Sequence, residues 1–118
     1  MYKILGSKLN ARHEPSGNSA KASASKAICN LVYGHIHRIE ESSVVGLEGE
    51  DYVNFSVGWL GSKRNEVMKY VKGHWQWKLG FGVVYVDTKT KNFYHQKIHI
   101  IEEKNNYSCV LNGKKFSV

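Results

Sequence analysis

Residues 31–40 read LVYGHIHRIE, and the two histidines in this stretch, His35 and His37, are spaced for chemistry. Neutral imidazole is the commonest protein ligand for divalent metals. In an extended segment residues i and i+2 point the same way, so the pair would present two rings to one pocket. A metal site that keeps an open position needs about three protein ligands. His13 is the one histidine ahead of the pair, and it completes a set of three. Such a set suits a zinc or nickel ion. The plain alternative is two polar side chains on a solvated turn.

A second cluster lies in GHWQWKLGF, residues 73–81, where Trp75 and Trp77 sit among Lys72, His74 and Lys78. Aromatic rings interleaved with cations suit single-stranded nucleic acid, because bases stack on the rings while lysines meet phosphates. The competing reading puts one indole in the core and the other over a sheet edge. No Ser-His-Asp or Cys-His nucleophile arrangement can be argued from the chain. Cys29 and Cys109 are far apart, and no CxxC pair is present, so two buried free thiols are expected.

The elements that must position these residues follow from local pattern. GNSAKASASKAICN, residues 17–30, is rich in Ala, and Asn30 is a common helix terminator; a helix over 18–29 is expected. Ala20, Ala24, Ala27 and Ile28 form its small face. LVY then reads as a short buried strand with GHIHR as the loop leaving it. SSVVGL and YVNFSVGW are β-rich and flank the acidic turn EGED. SKRNEVMKYV, residues 62–71, is a second helix candidate, with Val67, Met68 and Val71 on one side. GFGVVYVDT is a strand followed by a turn at KTKN. FYHQKIHII alternates, and its His95, Lys97 and His99 face is expected to be solvated. Asn112-Gly113 between two β-rich runs marks a hairpin.

The chain has 118 residues, one proline and 42% apolar residues, which fits a single folded domain. No stretch is apolar enough for a signal peptide or a bilayer span, so a cytoplasmic protein with no membrane partner is expected. The net charge of +7 is uneven: residues 39–56 carry acids alone, whereas 57–100 carry eight basic residues against Glu66 and Asp87. A basic surface concentrates anions, which admits nucleic acid or phosphate ligands as well as a merely soluble face.

LVYGHIHR resembles the GHxH motif of calcineurin-like metallophosphoesterases, which follows a short apolar strand and often precedes Arg, as at Arg38 here. NFSVGWL and then residues 70–101, YVKGHWQWKLGFGVVYVDTKTKNFYHQKIHII, resemble the tail of the phage and prokaryotic branch of that family. SGNSAKASASKA resembles the Gly- and Ala-rich helix ahead of GHxH. The resemblance covers about residues 13–102. It implies an α+β fold, mostly antiparallel β with one or two helices, corresponding to the C-terminal half of an αββα sandwich. It implies His35 and His37 as metal ligands, with His13 as the isolated metal histidine, and a divalent ion such as Mn, Zn or Ni.

The chain also departs from that family. The early family motifs, Asp-x-His, Gly-Asp-x-x-Asp and Gly-Asn-His-Glu, are not found. The two aspartates, Asp51 and Asp87, both follow the histidine pair. A dinuclear centre holds cations about 3.5–4 Å apart, and without a bridging carboxylate their repulsion is unscreened. The expectation is a truncated phosphoesterase homologue that is not catalytic alone. It would act as a split-enzyme subunit completed by a partner polypeptide, or as a homo-oligomer. The alternative is a phage-encoded binding protein directed at a host protein or nucleic acid.

Overall fold

The computed structural model describes residues 1–61 and 76–118. Its centre is a five-stranded mixed sheet built from β1 (Tyr2–Lys3), β2 (Leu9–Arg12), β3 (Asn30–Tyr33), β4 (Ile39–Val45) and β5 (Asp51–Val57), in the order β1-β2-β3-β5-β4. The three inner strands β2, β3 and β5 run parallel, and β1 and β4 join antiparallel at the edges. Parallel neighbours need a crossover connection. The helix α1 (Ala20–Ala27) provides it between β2 and β3.

α1 falls inside the span expected from its Ala-rich sequence, but its ends are set otherwise. Ser19 caps the start, its hydroxyl accepting from the Ala22 N–H at 3.2 Å. Ile28, in the left-handed region at φ 47°, closes the helix by donating to the Ala24 carbonyl. Asn30 is not the terminator. It opens β3, and its Oδ1 accepts from the Val53 N–H at 2.9 Å, which ties β3 to β5. Ala20 and Ala24 are buried as expected, together with Ser23, whereas Ile28 is exposed.

The sheet is covered on both faces, as successive residues of β5 show. Asn54 points to α1: Ser23 Oγ donates to Asn54 Oδ1 at 2.7 Å, and Asn54 Nδ2 donates to the Cys29 carbonyl at 2.8 Å. Phe55 points the other way and stacks on His95 at 4.1 Å between ring centroids. His95 belongs to the hairpin β6 (Gly80–Val86) and β7 (Phe93–His99). Glu41 of β4 draws the same hairpin in, with His95 Nε2 at 2.6 Å and Lys97 Nζ at 3.0 Å from its Oε1. His95 and Lys97 are therefore packed against the sheet rather than solvated, whereas His99, at the end of β7, is exposed as expected. Glu40 and Glu41 both lie in β4.

The chain ends in an antiparallel meander of β8 (Ile101–Glu103), β9 (Asn106–Leu111) and β10 (Lys114–Ser117). The expected hairpin is present: Leu111 pairs with Lys114, and Asn112 and Gly113 both take positive φ, 53° and 76°. Cys29 and Cys109 are free as expected, but half-buried. Strands dominate, and α1 is the one α-helix among the described residues, so the class is α+β. The parallel core β2-β3-β5 is the part that an antiparallel expectation missed. The second helix candidate, 62–71, lies outside the described residues.

Candidate metal centre

Two parallel strands deliver the first two candidate ligands. β2 and β3 are paired with Arg12 opposite Tyr33. The next residues leave the sheet side by side, and the Gly34 N–H donates to the His13 carbonyl at 3.0 Å. His13 and His35 thus meet at the carboxyl ends of adjacent parallel strands, the place where open α/β sheets hold ligands. Their rings are edge to face, with His35 Nδ1 3.3 Å from His13 Nε2. Two nitrogens bound to one tetrahedral zinc at about 2.0–2.1 Å stand about 3.3 Å apart. The same separation also suits one N–H donating from ring to ring. The pair is exposed and borders small open depressions lined by Arg12, Glu14, Pro15 and Asn18.

His37 is placed differently. Both His35 and His37 take left-handed backbone conformations, at φ 66° and 55°. The alternation of an extended strand therefore does not hold here, and the two rings diverge. Outside glycine such conformations are uncommon, and they gather at functional sites. Gly34 is not what makes the turn, since a Cβ there would meet His13 only at ordinary contact distances of 3.7 and 3.8 Å. The His37 ring lies flat on Trp59, with 5.0 Å between centroids and 11° between planes, and takes the edge of Trp77 at 4.3 Å. Burial, and then the charges of His35 and His13, lower its proton affinity below the usual histidine range. The ring is therefore neutral at pH 7, the form that binds metal.

The backbone around this aromatic group is tightly specified. Lys78 N–H donates to the His37 carbonyl at 2.9 Å, and Trp59 N–H donates to the Lys78 carbonyl at 3.0 Å. Gly58, at φ 89°, precedes Trp59, and a Cβ there would come within 2.4 Å of the Lys78 carbonyl oxygen. Arg38 joins three segments beside it. Its Nη1 donates to Gln76 Oε1 at 3.1 Å and its Nη2 to the Asn18 carbonyl at 3.0 Å. Its Nε stands 3.4 Å from Glu40 Oε2, an ion pair without hydrogen-bond alignment. Tyr33 OH donates to Glu40 Oε1 at 3.1 Å, and burial followed by Glu40 raises the phenol well above its ordinary range.

Of the residues expected from the sequence, His13 and His35 are brought together. His37 is packed against the two indoles instead. Among the described residues no group of three or more His, Cys, Asp or Glu converges in a metal-holding arrangement. Trp77 is half-buried in the aromatic group, and Lys78 is exposed. Lys72 and Trp75 lie outside the described residues. Trp59 was not singled out by its sequence, and its signal was the Gly58-Trp59 step leaving a buried strand. Among the described residues no helix is long and apolar enough to cross a membrane. Compared with family models, curated proteins and solved structures, the chain matches none.

Proposed function

We propose that this chain supplies the histidine side of a calcineurin-like metallophosphoesterase centre and that a second polypeptide supplies its carboxylates. His13 and His35 hold a divalent ion such as Mn, Zn or Ni, and His37 is the third ligand. The observation that supports this reading is the 3.3 Å approach of two ring nitrogens at the ends of adjacent parallel strands, which fits tetrahedral coordination. A bound divalent ion supplies Lewis acidity and lowers the pKa of its water. The chain's own residues bind and orient. His13 and His35 fix the ion's position, and Arg38 ties the GHIH loop to the segment before α1 and to Gln76. The chemistry of hydrolysis then awaits carboxylates from the partner, because imidazoles alone leave a second cation unscreened.

Zinc titration by calorimetry on the wild type, His13→Ala and His35→Ala tests the reading. Wild type should bind one ion per chain, and each variant should lose at least tenfold in affinity. Equal affinity in all three would remove the metal site from the argument. The isolated chain, with manganese added, is expected to leave p-nitrophenyl phosphate intact. Turnover that survives repurification and vanishes in His35→Ala would refute the need for a partner.

The alternative, a binding protein that keeps the scaffold without catalysis, draws its support from exposed apolar side chains. Val45 at the end of β4 and Leu47 in the turn that follows are exposed, and Ile28 at the end of α1 is exposed close by.

A further inference from the structure

The three histidines do not stand equivalent, and the difference has a physical cause. His13 and His35 already hold the spacing of two ligands. His37, two residues further on, packs in a three-ring cluster with two neighbouring indoles: its face lies on Trp59, its ring is perpendicular to Trp77, and Trp59 and Trp77 are themselves edge to face at 4.8 Å. We propose that Trp59 and Trp77 withhold His37 from the ion, so that the third ligand engages only when this aromatic stack opens. The proposal rests on the reading that His13 and His35 bind a metal.

Reach is not the obstacle. Two residues of chain span at most about 7 Å, so the His37 backbone lies within side-chain reach of His35. A change of side-chain rotamer is a small motion in a loop of this kind. What opposes it is the stack, since aromatic pairs contribute beyond their burial. A ligand held in a second conformation weakens apparent affinity in proportion to the time it spends there. The clasp is fixed by backbone rather than by side chains alone. The His37 carbonyl is held by the Lys78 N–H, and the Lys78 carbonyl by the Trp59 N–H. His37 therefore leaves the indoles by turning its ring while its backbone stays in place. The ion would draw out the third ligand after capture by the first two, and the clasp would set how tightly the chain holds metal before any partner arrives.

The test is zinc titration of the whole chain at neutral pH, followed by calorimetry and by indole emission. In the wild type, zinc should change the emission, and His37→Ala should both weaken binding and abolish that change. Trp59→Leu should bind zinc about three- to tenfold more tightly, the range set by one aromatic pair. Trp77→Leu removes the perpendicular contact on His37 and the contact on Trp59 but leaves the flat stack, and should tighten binding by a smaller factor; it decides the matter if Trp59→Leu does not fold. Unchanged or weaker affinity in the folded tryptophan variants overturns the clasp, as does His37→Ala binding like wild type. In either case, loss of binding in His35→Ala would leave the metal reading intact. Wild-type affinity retained in His35→Ala, or no binding by the wild type, would sink both.

Discussion

The residues that carry the site are held in states that respond to protons. Imidazole binds metal only when neutral, and its ordinary pKa is about 6.5. Zinc binding should therefore weaken sharply between about pH 7.5 and about pH 5.5. Fold stability responds in the same direction. Burial, followed by the charges of His35 and His13, lowers the His37 pKa from 6.5, so the unfolded chain binds that proton more readily. Stability then falls as pH drops through 6.5 and keeps falling to the lower folded value. Glu41 adds a second window. Burial works to raise its pKa, but hydrogen bonds from His95 and Lys97 outweigh it and hold the carboxyl below 4.5. The stability it gives is complete above that value and is lost as pH falls through the folded one. Glu41→Gln should cost about 1 kcal/mol or less at neutral pH, because the pair is part-exposed and screened. Thermal melts across pH should show the variant's deficit shrinking in acid; a constant deficit would place the effect elsewhere.

At the scale of elements, the site depends on how α1 and the β6–β7 hairpin grip the sheet from opposite sides. Asn54 is fully buried at the centre of β5 and satisfies both Ser23 and the Cys29 carbonyl. Asn54→Ala strips both partners inside the core. A loss of about 2–3 kcal/mol is expected, seen as a lower urea midpoint with an unchanged slope. A shift of a few tenths would mean that water repairs the gap. Most of these elements were legible locally. The Ala-rich run announced α1, and Asn112-Gly113 announced its turn, because propensity and positive φ act within a few residues. β2 was not legible: Leu9–Arg12 alternates over four residues only, too short a run to announce a strand, and it is a strand because β1 and β3 give it partners. The His95 and Lys97 face was misread because its partner, Glu41, is 54 residues from His95.

At the scale of the whole molecule, apolar side chains of several elements stay in solvent. Val45, Leu47, Ile101 and Val110 are among the apolar side chains left exposed. Association is therefore expected, most simply as a symmetric dimer. Light scattering at high micromolar concentration should return twice the chain mass; a monomer mass would rule the dimer out.

The sequence by itself determined the α+β class, the order of most elements, the hairpin at Asn112-Gly113 and the three histidines as the residues worth watching. These are consequences of local propensity and of side-chain chemistry, which short stretches carry whole. The tertiary structure decided which histidines meet. His13 and His35 lie 22 residues apart and come to 3.3 Å because β2 and β3 pair in parallel with α1 as the crossover. His35 and His37 are two residues apart, yet they diverge, because the backbone turns left-handed at both and two tryptophans, one of them 40 residues from His37, close on its ring. Spacing in the chain fixes a direction only while the backbone is regular. Once the strand ends, strand pairing and aromatic packing choose where each ring goes.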